Sequence, residues 1–245
     1  MRVFSSVAVA AFLIVAGCSP SAPPKPKSKP IKVGAGDAFL KDLVDSACGA
    51  NCVFVQSDGA EFKVTWESNR GPKPDENTLT VATGFSGGRS GGANGWQNLE
   101  TWSQAVAKLG PMLAKLRPEV AKEIEERAAK AAADMMETET QFKAALAGCK
   151  GPLITGNAKL GPFAEHYGLT ANVKAAEFKG DKPPKALFIE GGEDPSPVKA
   201  LQKQLNAKGA DIKIAGELFS DRLAPGQTVT ETLRHNVEAV AAGLK

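Results

Sequence analysis

Histidine is nearly missing from this chain: there are two, His166 and His235, in 245 residues. Cysteine is also sparse at four, with only Cys48 and Cys52 close together and neither a third Cys nor a His nearby. That scarcity excludes a zinc finger or ribbon, whose closed sites need four imidazole or thiolate donors at short spacing. A large charge excess is absent too. The full chain is +3; setting aside Arg2 and the tether lysines Lys25, Lys27 and Lys29 leaves a body near −1. Such a body has no electrostatic reason to seek nucleic acid. The longest apolar run, Val7 to Ala16, is too short to span a bilayer.

What that run does offer is the layout of a secretory signal peptide: one basic residue, an apolar stretch, then small residues. Leu13-Ile14-Val15-Ala16-Gly17-Cys18 resembles the lipobox of bacterial lipoproteins. The resemblance implies cleavage after Gly17 and acylation of Cys18, giving an exported, membrane-anchored lipoprotein in the periplasm or at the cell surface. Residues 18–30 are rich in Pro, Lys and Ser and read as an extended tether. In an oxidising compartment Cys48 and Cys52 can pair across Gly49-Ala50-Asn51, leaving Cys149 odd.

From Ile31 the chain alternates strand and helix signals. Ile31 to Val33, Ala38 to Ala47 and Val53 to Val55 read β–α–β, the start of an α/β lobe. Leu79 to Ala82 reads as a strand entering a loop, Gly84 to Gly95, with six glycines in twelve positions. A helix follows from Leu99 to about Leu116. The stretch Glu119 to Ala147 keeps apolar or small residues near a 3.6 spacing, and at 1.5 Å per residue would span about 40 Å. Strand and helix signals then alternate again from Pro152 to Leu244. The fold class expected is α/β, with two α/β lobes (31–117 and 149–245) joined by a long helix (118–148) and a ligand cleft between them. The alternative is a single three-layer domain.

Four landmarks resemble, in order, the solute-binding lipoproteins of zinc- and manganese-type ABC importers. They are Ser57 to Thr65, Gly92-Ala93-Asn94-Gly95-Trp96-Gln97-Asn98-Leu99-Glu100, Leu153 to Asn157 continued by Phe163 to Leu169, and Glu217-Leu218-Phe219-Ser220-Asp221 with Leu233 to Val237 behind it. The resemblance implies a metal held in the cleft and an ABC permease as partner to a monomer. Carried over position by position, the family's His ligands fall on Ala60, Asn94 and Asn157, and only Asp221 remains a ligand. The cleft is expected to be lined by Asp58, Asn94, Asn157 and Asp221. His166 and His235 fall outside it, in structural positions.

One carboxylate and two amide oxygens do not meet the demand of zinc for nitrogen or sulfur. The set suits one weakly bound divalent cation, zinc, manganese or a harder ion such as Ca²⁺, or a polar organic solute. The expected function is therefore an extracytoplasmic solute-binding lipoprotein of a metal-cation ABC importer with a degenerate or retuned site, and not an enzyme. Two alternatives stay open: a non-transport lipoprotein on the same fold, and a serine hydrolase suggested by Gly84-Phe85-Ser86-Gly87-Gly88. Against the hydrolase, a Gly-rich loop follows Ser86 where a nucleophile elbow requires a helix.

Overall fold

The computed structural model describes residues 28–66, 75–81, 95–180 and 182–245. The signal segment, Cys18, Ser86 and Asn94 lie outside the described residues.

The N-terminal lobe contains β1 (Ile31–Ala35), α1 (Ala38–Cys48), β2 (Cys52–Val55), β3 (Phe62–Trp66) and β4 (Thr78–Val81), followed by α2 (Leu99–Leu116). Its four strands form a parallel sheet in the order β2-β1-β3-β4. Buried Ile31 and Val33 of β1, with Phe62 and Val64 of β3, press the sheet against Leu40, Leu43 and Val44 of α1. Local chemistry sets the helix ends. Asp37 accepts a bond from Leu40 N at 2.9 Å to start α1, and Gly49, at φ +54°, ends it in a backbone region costly for other residues. Asn98 starts α2 in the same way through Thr101 N at 2.7 Å.

The linking helix α3 (Ala121–Leu146) follows a 3₁₀ turn at Pro118–Val120, so the helix proper begins two residues later than the sequence suggests. Pro118 at the first position of that turn explains the delay. Its buried face is Ile124, Ala128, Met135, Glu139, Phe142 and Leu146, which packs on α1 and α2 in one lobe and on α6 in the other. Gly110 of α2 lets that helix approach closely, since a Cβ there would lie 2.4 Å from the Ala128 Cβ.

In the C-terminal lobe come β5 (Leu153–Thr155), α4 (Gly161–His166), β6 (Asn172–Lys174), β7 (Ala186–Glu190), α5 (Ser196–Ala207), β8 (Lys213–Leu218) and α6 (Val229–Leu244). β5 pairs with β6 and β7 with β8, both in parallel. Two strands, β3 and β6, were not expected as separate elements. β3 does show its buried–exposed alternation over Phe62–Val64, whereas β6 is three residues with no fully buried side chain. Cys48 and Cys52 form a disulfide, and Cys149 is free and buried.

One hydrophobic cluster runs from Ile31 and Val33 through Trp102, Ile124 and Phe142 to Phe188, Leu233 and Leu244, and a second in the C-terminal lobe gathers Ile154, Leu187, Val198, Leu201 and Leu205. The architecture is thus two parallel α/β lobes tied along a shared helical spine. Among the described residues no helix is long and apolar enough to cross a membrane.

Candidate functional site

Parallel strands place their ligands beyond their carboxyl ends, where loops from several strands meet. Here the loops after β1, β5, β7 and β8 converge between the lobes. A cavity of about 480 Å³ is lined on one side by Asp37 and Phe39 and on the other by Asp221, Arg222, Leu223 and Gln227. A second hollow of about 300 Å³ continues from Asp37 to Gly34, Ser57, Thr65 and Trp66 at the ends of β1 and β3. Asp37 is shared by both and held on both oxygens, by Leu40 N and by Trp66 Nε1 at 2.6 Å.

Asp221, the acid carried over from the resemblance, faces this cleft but is engaged by two cations. Lys159 Nζ donates to Oδ2 at 2.8 Å and Arg222 Nε to Oδ1 at 3.3 Å. Partial burial opposes its ionisation, yet the bonds from Lys159 and Arg222 hold its carboxyl below the usual range. The same ammonium donates to Glu193 Oε1 at 2.6 Å, so one Lys bridges two carboxylates, and that pairing raises its own pKa.

Asn157 sits at the start of this loop. Its Oδ1 accepts from Lys159 N at 3.1 Å, an Asx turn that orients the loop. Beneath it lies Glu190 at the end of β7, 1% exposed, whose Oε1 accepts from the same Lys159 N at 3.2 Å. Burial pushes the Glu190 carboxyl up, against the opposing influence of the nearby Thr155 hydroxyl and of the bond from Lys159 N. Its Oε2 is buried and has no hydrogen-bond partner among the described residues.

The structure therefore brings Asp221 and Asn157 together around Lys159. Asp58 lies exposed in a 3₁₀ turn, and Ala60, which follows it, supplies no donor. Asn94 is outside the described residues. Lys159, Glu190 and Glu193 were missed at the sequence level. An acid closing the apolar run Ala186–Ile189 and a Lys two residues past Asn157 were the available signals, since both follow strand ends.

Both histidines are committed elsewhere. His166 Nε2 lies 2.5 Å from Glu139 Oε1, and His235 Nε2 is 2.9 Å from the Glu217 carbonyl. Glu139, 1% exposed in the C-terminal third of α3, also accepts from Tyr167 OH at 2.8 Å and Leu99 N at 3.3 Å, joining the start of α2 to α4. Among the described residues no three His, Cys, Asp or Glu side chains converge in a way that would hold a metal ion.

Two parallel α/β lobes on a helical spine, with acidic loops meeting across a cleft, define the class of two-lobed solute-binding proteins. The chain belongs to the periplasmic zinc-uptake complex component A family, whose model matches residues 33–186. It is 27% identical to the zinc-binding protein TroA of Treponema pallidum (strain Nichols) over 172 residues, 61% of this chain and 56% of that protein. The chain thus spans about half the length of the curated relative it matches. Among solved structures, periplasmic zinc-binding TroA from Treponema pallidum superposes with TM-score 0.65 at 18% identity, covering 88% of this chain and 99% of that one. A Cd-bound periplasmic metal-binding protein from Candidatus Liberibacter asiaticus gives 0.64 at 14% identity, covering 89% and 100%. At those identities the likeness is one of fold. The family is one of solute-binding proteins and not of enzymes.

Proposed function

We propose that this chain is the exported solute-binding component of a metal-cation ABC importer, with a cleft that holds zinc or manganese weakly. The observation that carries this reading is the Lys159–Asp221 pair. The family fold and the cleft support it, and Asp221, the acid that the resemblance carries over as a ligand, has its cation partner in a side chain of the protein itself. Nitrogen donors for zinc are lacking, because His166 and His235 serve Glu139 and the Glu217 carbonyl. Asn157 and Asp221, with Asn94 from the Gly-rich loop, are the oxygen donors the resemblance leaves to a cation, and Glu193 stands beside Asp221.

Residues 31–117 and 149–245 act as the two lobes and 118–148 as their link. Cys18 carries the lipid that keeps the protein beside its permease, on a tether of residues 18–30. Cys18→Ala is expected to release the protein from membranes or leave it as precursor; a processed, membrane-bound variant would refute the anchor.

The partner is tested by cross-linking the full chain in its own membranes and identifying the captured proteins by mass. Capture of an ABC permease subunit is expected. Repeated capture of other envelope proteins with no permease would overturn the transport role.

A further inference from the structure

We infer that Lys159 is a specificity-determining residue, a tethered cation that fills the C-terminal half of the cleft and keeps hard divalent cations out. This rests on the solute-binding reading above. Its ammonium touches Glu193 Oε1 at 2.6 Å and Asp221 Oδ2 at 2.8 Å, so two carboxylates from the loops after β7 and β8 face one point. A point charge between two carboxylates is the arrangement a hard cation takes, with carboxylate oxygens in part of its shell and water in the rest.

A separate observation marks the same place as cation-seeking. Glu190 is 1% exposed beneath the Lys159 backbone; its Oε1 accepts from Lys159 N, while its Oε2 is buried with no hydrogen-bond partner among the described residues. A buried carboxylate oxygen left unpaired is costly and gains from any positive charge brought beside it. Among the described residues Lys159 and Arg222 are the cations paired with these acids; Lys159 holds Glu193 and Asp221, and Arg222 bonds Asp221. Removing the Lys159 charge leaves Glu190, Glu193 and Asp221 with Arg222 as the remaining cation among the described residues.

The Lys159 side chain can be changed without dismantling the loop. The bonds to Asn157 Oδ1 and Glu190 Oε1 come from its backbone N–H, which any residue but proline supplies. Methionine keeps the unbranched stem and drops the charge.

The test is calorimetric titration of Mn²⁺ into metal-stripped full-length protein in detergent, for wild type, K159M, K159Q and K159M/D221N. K159M is expected to bind one Mn²⁺ at least about tenfold tighter than wild type, and K159M/D221N to lose that gain. If K159M fails to fold, as judged by circular dichroism, K159Q is read by the same criteria. Binding by the charge-free variants no tighter than wild type, or a gain that survives D221N, would overturn the assignment. The proposed transport role fails on a different result, the absence of a permease partner, which leaves the comparison between wild type and variants intact.

Discussion

Gln97 donates from Nε2 to the Ser220 carbonyl at 3.0 Å, one residue before Asp221. The same fully buried amide donates to the Lys159 carbonyl at 3.2 Å and accepts from Phe163 N at 3.2 Å. One N-lobe side chain thus holds both C-lobe loops that carry the Lys159–Asp221 pair. Leucine at this position would strand two buried backbone groups and one partly buried, the buried ones each costing about 1–3 kcal/mol when unsatisfied. Gln97→Leu is expected to lower stability by roughly 2–4 kcal/mol in urea unfolding. A loss below that range would mean the two loops hold themselves.

Gly110 offers a test of the helical spine. Glycine to alanine inside a helix ordinarily gains about 1 kcal/mol. Here the new Cβ would press on Ala128, so Gly110→Ala is expected to destabilise by about 1–3 kcal/mol. Thermal unfolding of the variant reads the sign directly, and a stabilised protein would show that α2 and α3 are not in close contact.

Asp42 of α1 reaches across to α6, where its Oδ2 accepts from Val229 N at 3.2 Å. Burial pushes its carboxyl to about 6, with repulsion from Asp45 adding to the effect and the Val229 bond opposing it. The folded protein therefore binds a proton that the unfolded chain has released, and this group's contribution to stability falls as pH rises from about 4 to 6. Asparagine keeps the acceptor without the charge. Asp42→Asn should exceed wild type in stability by about 1–3 kcal/mol above pH 6 and match it near pH 4. Parallel curves at the two pH values would contradict the burial argument.

The cysteines separate by chemistry. Peptide mapping without reduction should recover Cys48 joined to Cys52 and Cys149 unlinked. Because the bridge closes a very short loop, Cys48→Ser is expected to cost only about 2 kcal/mol in the chain-entropy view. Cys149 found in a disulfide would refute the pairing.

Much of the fold could be read from periodicity. The α1, α2 and α3 helices and most C-lobe strands fall where apolar spacing puts them, and the long helix does join the lobes. The misses share a cause. β6 is too short to show a period, and Glu139 occupies an apolar register on α3 because His166, Tyr167 and Leu99 N satisfy it from distant positions. At the site, Asp221 and Asn157 were visible through the resemblance. Lys159, Glu190 and Glu193 were not, since their meeting depends on how the loops after β5, β7 and β8 fold onto one another. Nothing in the local sequence around Asp221 announces that a lysine 62 residues earlier pairs with it.

The most direct measurement is calorimetric titration of zinc into the metal-stripped wild-type protein, repeated with Asp221→Ala. With histidines engaged elsewhere and Asp221 already paired to Lys159, zinc is expected to bind no tighter than about micromolar. A stoichiometric site of about nanomolar affinity that disappears in Asp221→Ala would contradict a weak, retuned cleft.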